Sequence, residues 1–211
     1  MTLPRLYPIL DSALLSGRQC TLETAAAAML ETGAGILQIR HKAPWTRDTF
    51  EQARRIMLLC GQATVPLIVN DRADIALLLN AGLHIGQDDL PPQDARRIIG
   101  AGACLGYSTH NAAQLAAAIE DPVDYLAIGP IFTTQSKIKP DPVVGPAHLQ
   151  TWRSITAKPL VAIGGITREN ARSVLDAGAD SIAVIGDLLP ADCSGTSIRE
   201  RFREWQRRIA E

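Results

Sequence analysis

The sequence predicts an α/β protein, a single-domain (β/α)8 TIM barrel over residues 1–211, and three observations predict it. Short apolar runs recur along the chain, segments of helical period separate them, and no linker-like stretch interrupts the alternation. The runs are continuous rather than alternating, as parallel strands buried on both faces require. Eight strand–helix units in about 200 residues fit a closed barrel. An open doubly wound sheet is the runner-up, and it normally shows fewer strands and one dominant glycine loop.

In chain order, the strand candidates cover residues 6–10, 36–39, 66–69, 83–85, 104–107, 125–128, 160–163 and 181–185. Helix candidates lie near 22–32, 47–62, 73–80, 93–99, 112–120, 146–155, 169–177 and 198–209. Glycine marks the joints between helix and strand at Gly33, Gly82, Gly100 and Gly178, where a left-handed residue ends a helix before the chain turns. Gly100-x-Gly102 follows a helix and precedes a strand, the reverse of a dinucleotide-binding loop. One connection is long, residues 129–145. It carries Thr133, Thr134, Ser136, Lys137 and Lys139, so a polar lid or binding loop is expected on the rim.

Bulk composition excludes several function classes. A net charge of −1 gives no global electrostatic case for nucleic acid or an anionic membrane. The basic stretch 199–208 includes Glu200 and Glu204 and reads as the solvated face of a terminal helix. The four cysteines form no C-x-x-C pair, which fits thiols in a reducing compartment rather than a disulfide framework or zinc site. No apolar run approaches the ~20 residues that span a bilayer. The opening Met1-Thr2-Leu3-Pro4 has no signal-peptide pattern, and a cytoplasmic location is expected. Homodimerisation is compatible with the chain but is not encoded legibly in it.

Ligands of parallel α/β barrels bind where the strands end. Gln38, Arg40 and Lys42 stand two apart at the end of the second strand, so an extended backbone puts them on one face. Two unpaired buried cations would each cost several kcal/mol, which points to an anion clamp. Asp71 and Asp89 follow the third and fourth strands. Neighbouring strands are about 4.8 Å apart, close enough for both carboxylates to meet one cation. Mg²⁺ suits that arrangement, because it takes one or two carboxylates and completes its shell with water and substrate phosphates. Asp71 also qualifies as a helix N-cap, and Asp88 competes with Asp89 as the ligand. Ser108 and Lys137 form a third set, with a plain helix cap as the alternative for Ser108. Gly164-Gly165 and Ile185-Gly186, after strands seven and eight, stand where barrels hold phosphate on backbone N–H groups. His84 reads as a hydrogen-bonded core residue, His148 as helix surface, and His110 as an acid/base group near the rim.

Taken together, these segments resemble thiamine phosphate synthases over most of the chain. The resemblance rests on Gln38-x-Arg40-x-Lys42, Asn70-Asp71, Gly82 through Asp89, Gly106-Tyr107-Ser108, Gly129-Pro130-Ile131-Phe132 with residues 134–137, and Ile163-Gly164-Gly165-Ile166. It implies a TIM barrel that joins hydroxymethylpyrimidine diphosphate to a thiazole phosphate, with Mg²⁺, releasing pyrophosphate. On that resemblance Asp71 and Asp89 match the metal ligands, and Arg40, Lys42, Asn70 and Lys137 match the diphosphate contacts. Gln38 and Ser108 match the pyrimidine contacts. Thr134, Ser136, Gly165, Ile185 and Gly186 match the thiazole-phosphate site. Ile39, His41 and Gln135 lie within the matching segments and are carried as substrate-binding positions. Arg40, Ser108 and Lys137 are the catalytic candidates. Ser136 stands where the family usually has threonine, and Gly186 replaces a common serine. The rival reading is a thiazole tautomerase of the same superfamily with His110 as its acid/base. A non-catalytic phosphate sensor is the reading from another class.

Overall fold

The computed structural model describes residues 2–134 and 141–210. Eight strands close into a parallel barrel in sequence order: β1 (Leu6–Asp11), β2 (Leu37–Arg40), β3 (Leu67–Asn70), β4 (Gly82–Ile85), β5 (Leu105–Thr109), β6 (Tyr125–Ile128), β7 (Leu160–Ile163) and β8 (Ser181–Val184). The barrel closes where β8 pairs with β1, with Tyr7 opposite Ala183. The helices among the described residues are α1 (Ser12–Gly17), α2 (Leu22–Glu31), α3 (Arg47–Ala63), α4 (Ala73–Leu79), α5 (Pro92–Ile99), α6 (Ala112–Ala117), α7 (Gly145–Trp152), α8 (Ala171–Asp176) and α9 (Gly195–Ala210). None is long and apolar enough to cross a membrane.

The barrel read from the pattern is the barrel found. Its boundaries differ in ways that matter for the rim. Helix α1 is an addition: Asp11 ends β1 and its carboxylate accepts from the Leu14 amide at 3.0 Å, capping six residues that the periodicity misses. Strand β5 runs to Thr109, so Ser108 sits inside a strand rather than at a helix cap. The cap of α6 is Asn111, whose side chain accepts from the Gln114 amide at 2.9 Å. Threonines do the same for α2 and α3, through Thr21 and Thr46.

Two apolar layers hold the fold. The outer layer lies between strands and helices and collects Leu37, Ile39, Leu67, Val69, Leu83 and Ile85 with the inward faces of the helices. Helix α9 presents Ile198, Phe202, Trp205 and Ile209 to it, a spacing of three and four residues that lines one helical face. The inner layer fills the barrel itself with Tyr7, Ile9, Ile36, Ile68, Tyr125, Ala127, Val161 and Ala183. Large and small residues must alternate there for the interior to fill. Gly106 shows why: a Cβ on it would fall 2.0 Å from Cζ of Tyr125. Glycine on β5 is the space that the tyrosine ring of β6 occupies.

The inner layer is not wholly apolar. Tyr7 and Tyr125 meet through their hydroxyls at 2.8 Å, and Nδ1 of His84 lies 2.9 Å from the Tyr125 oxygen. Burial pushes the His84 imidazole down to about 4 from its ordinary 6.5, and burial raises both phenols.

Two outcomes follow from this packing. Gly106→Ala is expected to lose about 1–3 kcal/mol in urea unfolding. Gly102→Ala, whose added methyl meets nothing within 4 Å, should stay within about 0.5 kcal/mol. For His84, the unfolded chain takes up a proton below pH 6.5 while the folded chain resists it down to about 4. Its contribution is therefore present above pH 6.5 and is lost as pH falls toward 4, by about 3 kcal/mol in all. Denaturation midpoints measured from pH 7.5 to 4.5 should fall more steeply for wild type than for His84→Gln. Parallel curves would remove His84 as the cause.

Candidate active site

At the C-terminal mouth of the barrel, the strand ends bring together the charged and polar residues read from the sequence. Gln38 lies on β2 with its side chain inside the barrel, 3 % exposed, and its Nε2 donates to the Tyr7 hydroxyl at 3.0 Å. Ser108 Oγ on β5 lies 2.8 Å from Nε2 of His84. Together with the Tyr7–Tyr125 pair, these groups form a hydrogen-bonded floor running from β2 to β5.

Above that floor the strand ends carry charge. Arg40 closes β2, directly opposite Asp11 in the β1–β2 register, and its guanidinium binds the Asp11 carboxylate. Asp11 was not singled out in the sequence. Its signal is an aspartate directly before Ser12 at a strand end, which is an N-cap pattern, but α1 is too short to show a period. Lys42 lies beyond β2 rather than on its inward face, because the strand ends at Arg40. Its side chain is 54 % exposed and reaches to the Asp71 carboxylate of the next strand. Gln38 and Arg40 therefore share the expected face and Lys42 does not.

Asp71 directly follows β3 with φ at +66°, a left-handed conformation unusual for a residue with a side chain. Its amide donates to the His84 carbonyl at 2.8 Å, which holds the turn in place. It does not cap α4: the residue at that position is Arg72, and no side chain caps the helix. The carboxylate of Asp71 is thus available to the rim. Asp89 faces it within hydrogen-bonding contact. Burial is the first cause of a raised Asp89 pKa, with the Asp71 charge adding to it and the Gly86 amide, donating at 2.7 Å, opposing it. Asp88 is exposed, so Asp89 is the member of that pair in the site.

Two carboxylates pressed together in a partly buried position have the donor chemistry that fits a divalent cation. No group of three or more His, Cys, Asp or Glu side chains assembles among the described residues. A hard divalent ion held by this pair would draw its remaining ligands from water and substrate oxygens, the pattern Mg²⁺ favours. Beside the pair, Asn70 ends β3, two residues after inward-facing Ile68, and is 8 % exposed. Its Nδ2 is buried without a partner. An orphaned amide donor at that position is complementary to an anionic oxygen.

The opposite side of the mouth is built from backbone. Gly164 and Gly165 both have positive φ, 100° and 63°. A Cβ on Gly165 would lie 2.5 Å from the Thr133 carbonyl, so only glycine fits where this loop crosses the end of the β6 loop. Amides of Ile131 and Phe132 donate to the carbonyls of Ile163 and Gly164, both at 2.9 Å, tying the two loops. After β8, Ile185 packs against the inner layer and Gly186 opens a 3-10 turn, Gly186–Leu188.

Other expectations are redrawn. The Ile39 side chain is buried in the helix-facing layer, so only its backbone can reach a ligand. His41 turns toward α1, with Nδ1 2.7 Å from Ser12 Oγ, and its ring packs edge-on against Trp45. His110 Nδ1 lies 2.7 Å from the Gly129 carbonyl, which anchors the start of the β6 loop. Thr134 is half-buried at the rim. Gln135, Ser136 and Lys137 lie outside the described residues. A cleft of about 680 Å³ continues from the mouth beneath α1 and α3, sharing Asp11, Arg40, His41 and Lys42 with the site.

Comparison with known proteins converges on one family. The model for thiamine monophosphate synthase matches residues 6–188. The thiamine-phosphate synthase of Koribacter versatilis is 50% identical over 192 residues, covering 90% of each chain. That of Chloroflexus aurantiacus is 43% identical over 189 residues, 89% of this chain and 86% of its own. The thiamine phosphate pyrophosphorylase structure from Pyrococcus furiosus superposes with a TM-score of 0.82 at 29% identity, over 98% of this chain and 95% of that one. With a family model spanning most of the barrel and relatives this similar over nearly their full length, the chain belongs to the thiamine monophosphate synthase family.

Proposed function

We propose that this chain is the transferase that couples 4-amino-2-methyl-5-(diphosphooxymethyl)pyrimidine to 4-methyl-5-(2-phosphooxyethyl)thiazole or its carboxylate. The products are thiamine phosphate and pyrophosphate, with CO2 released as well when the carboxylate is the acceptor. The observation that carries the reading within the structure is the rim itself: Arg40, Lys42 and the orphaned Asn70 amide beside the Asp71–Asp89 pair, over a neutral polar floor. Cations and an unpaired donor suit a diphosphate. Two carboxylates at the same place suit it only with a bridging cation. The relatives carry the synthase name, which supports coupling over the isomerisation assigned to a tautomerase.

In the coupling, the bond between the pyrimidine methylene and the diphosphate oxygen breaks with both electrons leaving on oxygen. The thiazole nitrogen lone pair then forms the new C–N bond, and the cationic charge ends on the thiazolium ring. Such a step needs stabilised departing charge and a held nucleophile, with no nucleophile from the protein. Arg40, pre-set by Asp11, and Lys42 face the departing diphosphate, and Asn70 donates to it. Lys137 from the long loop is assigned the same task by the family resemblance. Gln38 and Ser108 hold the pyrimidine, while Thr134, Gln135 and Ser136 with the backbone at Gly165, Ile185 and Gly186 receive the thiazole phosphate. Asp71 and Asp89 would hold Mg²⁺, whose chemistry when bound is to neutralise charge on the diphosphate oxygens.

Pyrophosphate release, assayed with and without thiazole phosphate and Mg²⁺, tests this reading. Release should require both additions and collapse in Asp71→Ala. No release from folded wild type would sink the assignment. Each of Arg40→Ala and Lys137→Ala should lower kcat/KM by about 10²–10³, the scale of one lost electrostatic donor. Retention of wild-type rates in either variant would remove that residue from the diphosphate contacts.

A further inference from the structure

The buried polar floor runs without a break from one substrate-facing residue to another. Gln38 Nε2 donates to the Tyr7 oxygen at 3.0 Å. The Tyr7 and Tyr125 oxygens are 2.8 Å apart, and Tyr125 meets His84 Nδ1 at 2.9 Å. His84 Nε2 then meets Ser108 Oγ at 2.8 Å. The three middle members touch no solvent route of their own: Tyr7 and Tyr125 are fully buried, and His84 is 9 % exposed.

With Gln38 Nε2 facing Tyr7, proton counting directs the rest of the chain. A phenol has one proton. Having accepted from Gln38, Tyr7 can place its proton only on Tyr125. Tyr125 then gives its own to Nδ1 of His84. A neutral imidazole carries its proton on the other nitrogen, so Nε2–H donates to Ser108 Oγ, and the Ser108 proton is left to point outward. At the other end the Gln38 amide oxygen has no hydrogen-bond partner among the described residues and is the group Gln38 shows to a ligand. Turning the Gln38 amide around by itself would set two acceptor oxygens against each other in the buried chain, a cost the interior does not offset. The amide can turn only if every proton in the chain reverses, including the tautomer of His84.

We propose that Tyr7, Tyr125 and His84 are positioning residues that lock the site's recognition polarity: an acceptor at Gln38 and a donor at Ser108. This rests on the pyrimidine reading of the site given above. An aminopyrimidine supplies the complementary set, with exocyclic N–H groups for the Gln38 oxygen and a ring nitrogen lone pair for the Ser108 hydroxyl. A pyrimidine with a carbonyl oxygen in place of the amino group would set oxygen against oxygen at Gln38. The chain thus ties a flexible amide, which alone accepts either partner, to the Ser108 hydroxyl, so that Gln38 reads the amino group as long as Ser108 donates.

The test uses two diphosphates, the 4-amino pyrimidine and its 4-oxo analogue, each with thiazole phosphate. The quantity read is the ratio of their kcat/KM values. This ratio is independent of the active fraction, so partial unfolding of a variant does not mimic an effect. Differences in intrinsic reactivity between the two compounds cancel when variants are compared with wild type. Tyr7→Phe removes the group that holds the amide. Tyr125→Phe leaves the Tyr7 proton with the Gln38 oxygen as its only acceptor and so turns the amide around. Each should narrow the amino preference by tenfold or more. A wild-type ratio in either active variant overturns the proposal, and so does wild-type enzyme that uses both pyrimidines equally well. Absence of coupling by wild type with the amino substrate is a separate result: it defeats the synthase reading and this inference with it.

Discussion

Polar groups sealed inside a parallel barrel have only one another for partners, and that constraint governs the arrangement of this site. Tyr7, Gln38, His84, Ser108 and Tyr125 come from five different strands, and each satisfies the next. Gly106 gives Tyr125 its space, and the His84 carbonyl in turn accepts from the Asp71 amide. Floor and rim are therefore connected through the same residue.

At the rim the ion pairs do a different job from the pairs on the outer helices. Arg172 with Asp176 on α8 is an exposed helical pair that adds little to stability. Arg40 is mostly enclosed and is held by Asp11, which also caps α1. Fixing the guanidinium before a ligand arrives removes the entropy cost of ordering it later, which is how an electrostatic site gains strength. Lys42 on Asp71 is looser and more exposed, and it suits a partner that is exchanged: a bridging cation and a diphosphate would together satisfy both charges.

The fold was legible because eight apolar runs carry the parallel-strand pattern, and the charged rim because its residues interrupt those runs where strands end. The floor was legible in part: Gln38, Ser108 and His84 as a hydrogen-bonded core residue can be read from the sequence, but the two tyrosines that join them cannot. Tyr7 and Tyr125 sit in runs that read as core, and core is what their rings are. Nothing local shows that their hydroxyls, 118 residues apart, meet inside the barrel. Helix α1 was missed because six residues with one buried side chain, Leu15, do not make a period. Ile39 belongs to a matching segment, and a segment match does not resolve alternation, although strand geometry sends every second side chain to the other layer.

Asp71 shows how the two levels meet. A positive φ at a side-chain-bearing residue costs on the order of 1–3 kcal/mol and persists only where its surroundings dictate it. Here the dictating groups are visible: the Asp71 amide is bound to the His84 carbonyl, and the carboxylate is placed between Lys42 and Asp89. Relaxing the turn would spare that strain but withdraw the carboxylate from Asp89 and unpair a backbone donor. Replacing Asp71 with glycine would remove the strain and the carboxylate together, so backbone preference alone does not account for aspartate at this position. The physical account that covers both the strain and the crowded second carboxylate is a site organised around charge that arrives with its ligand.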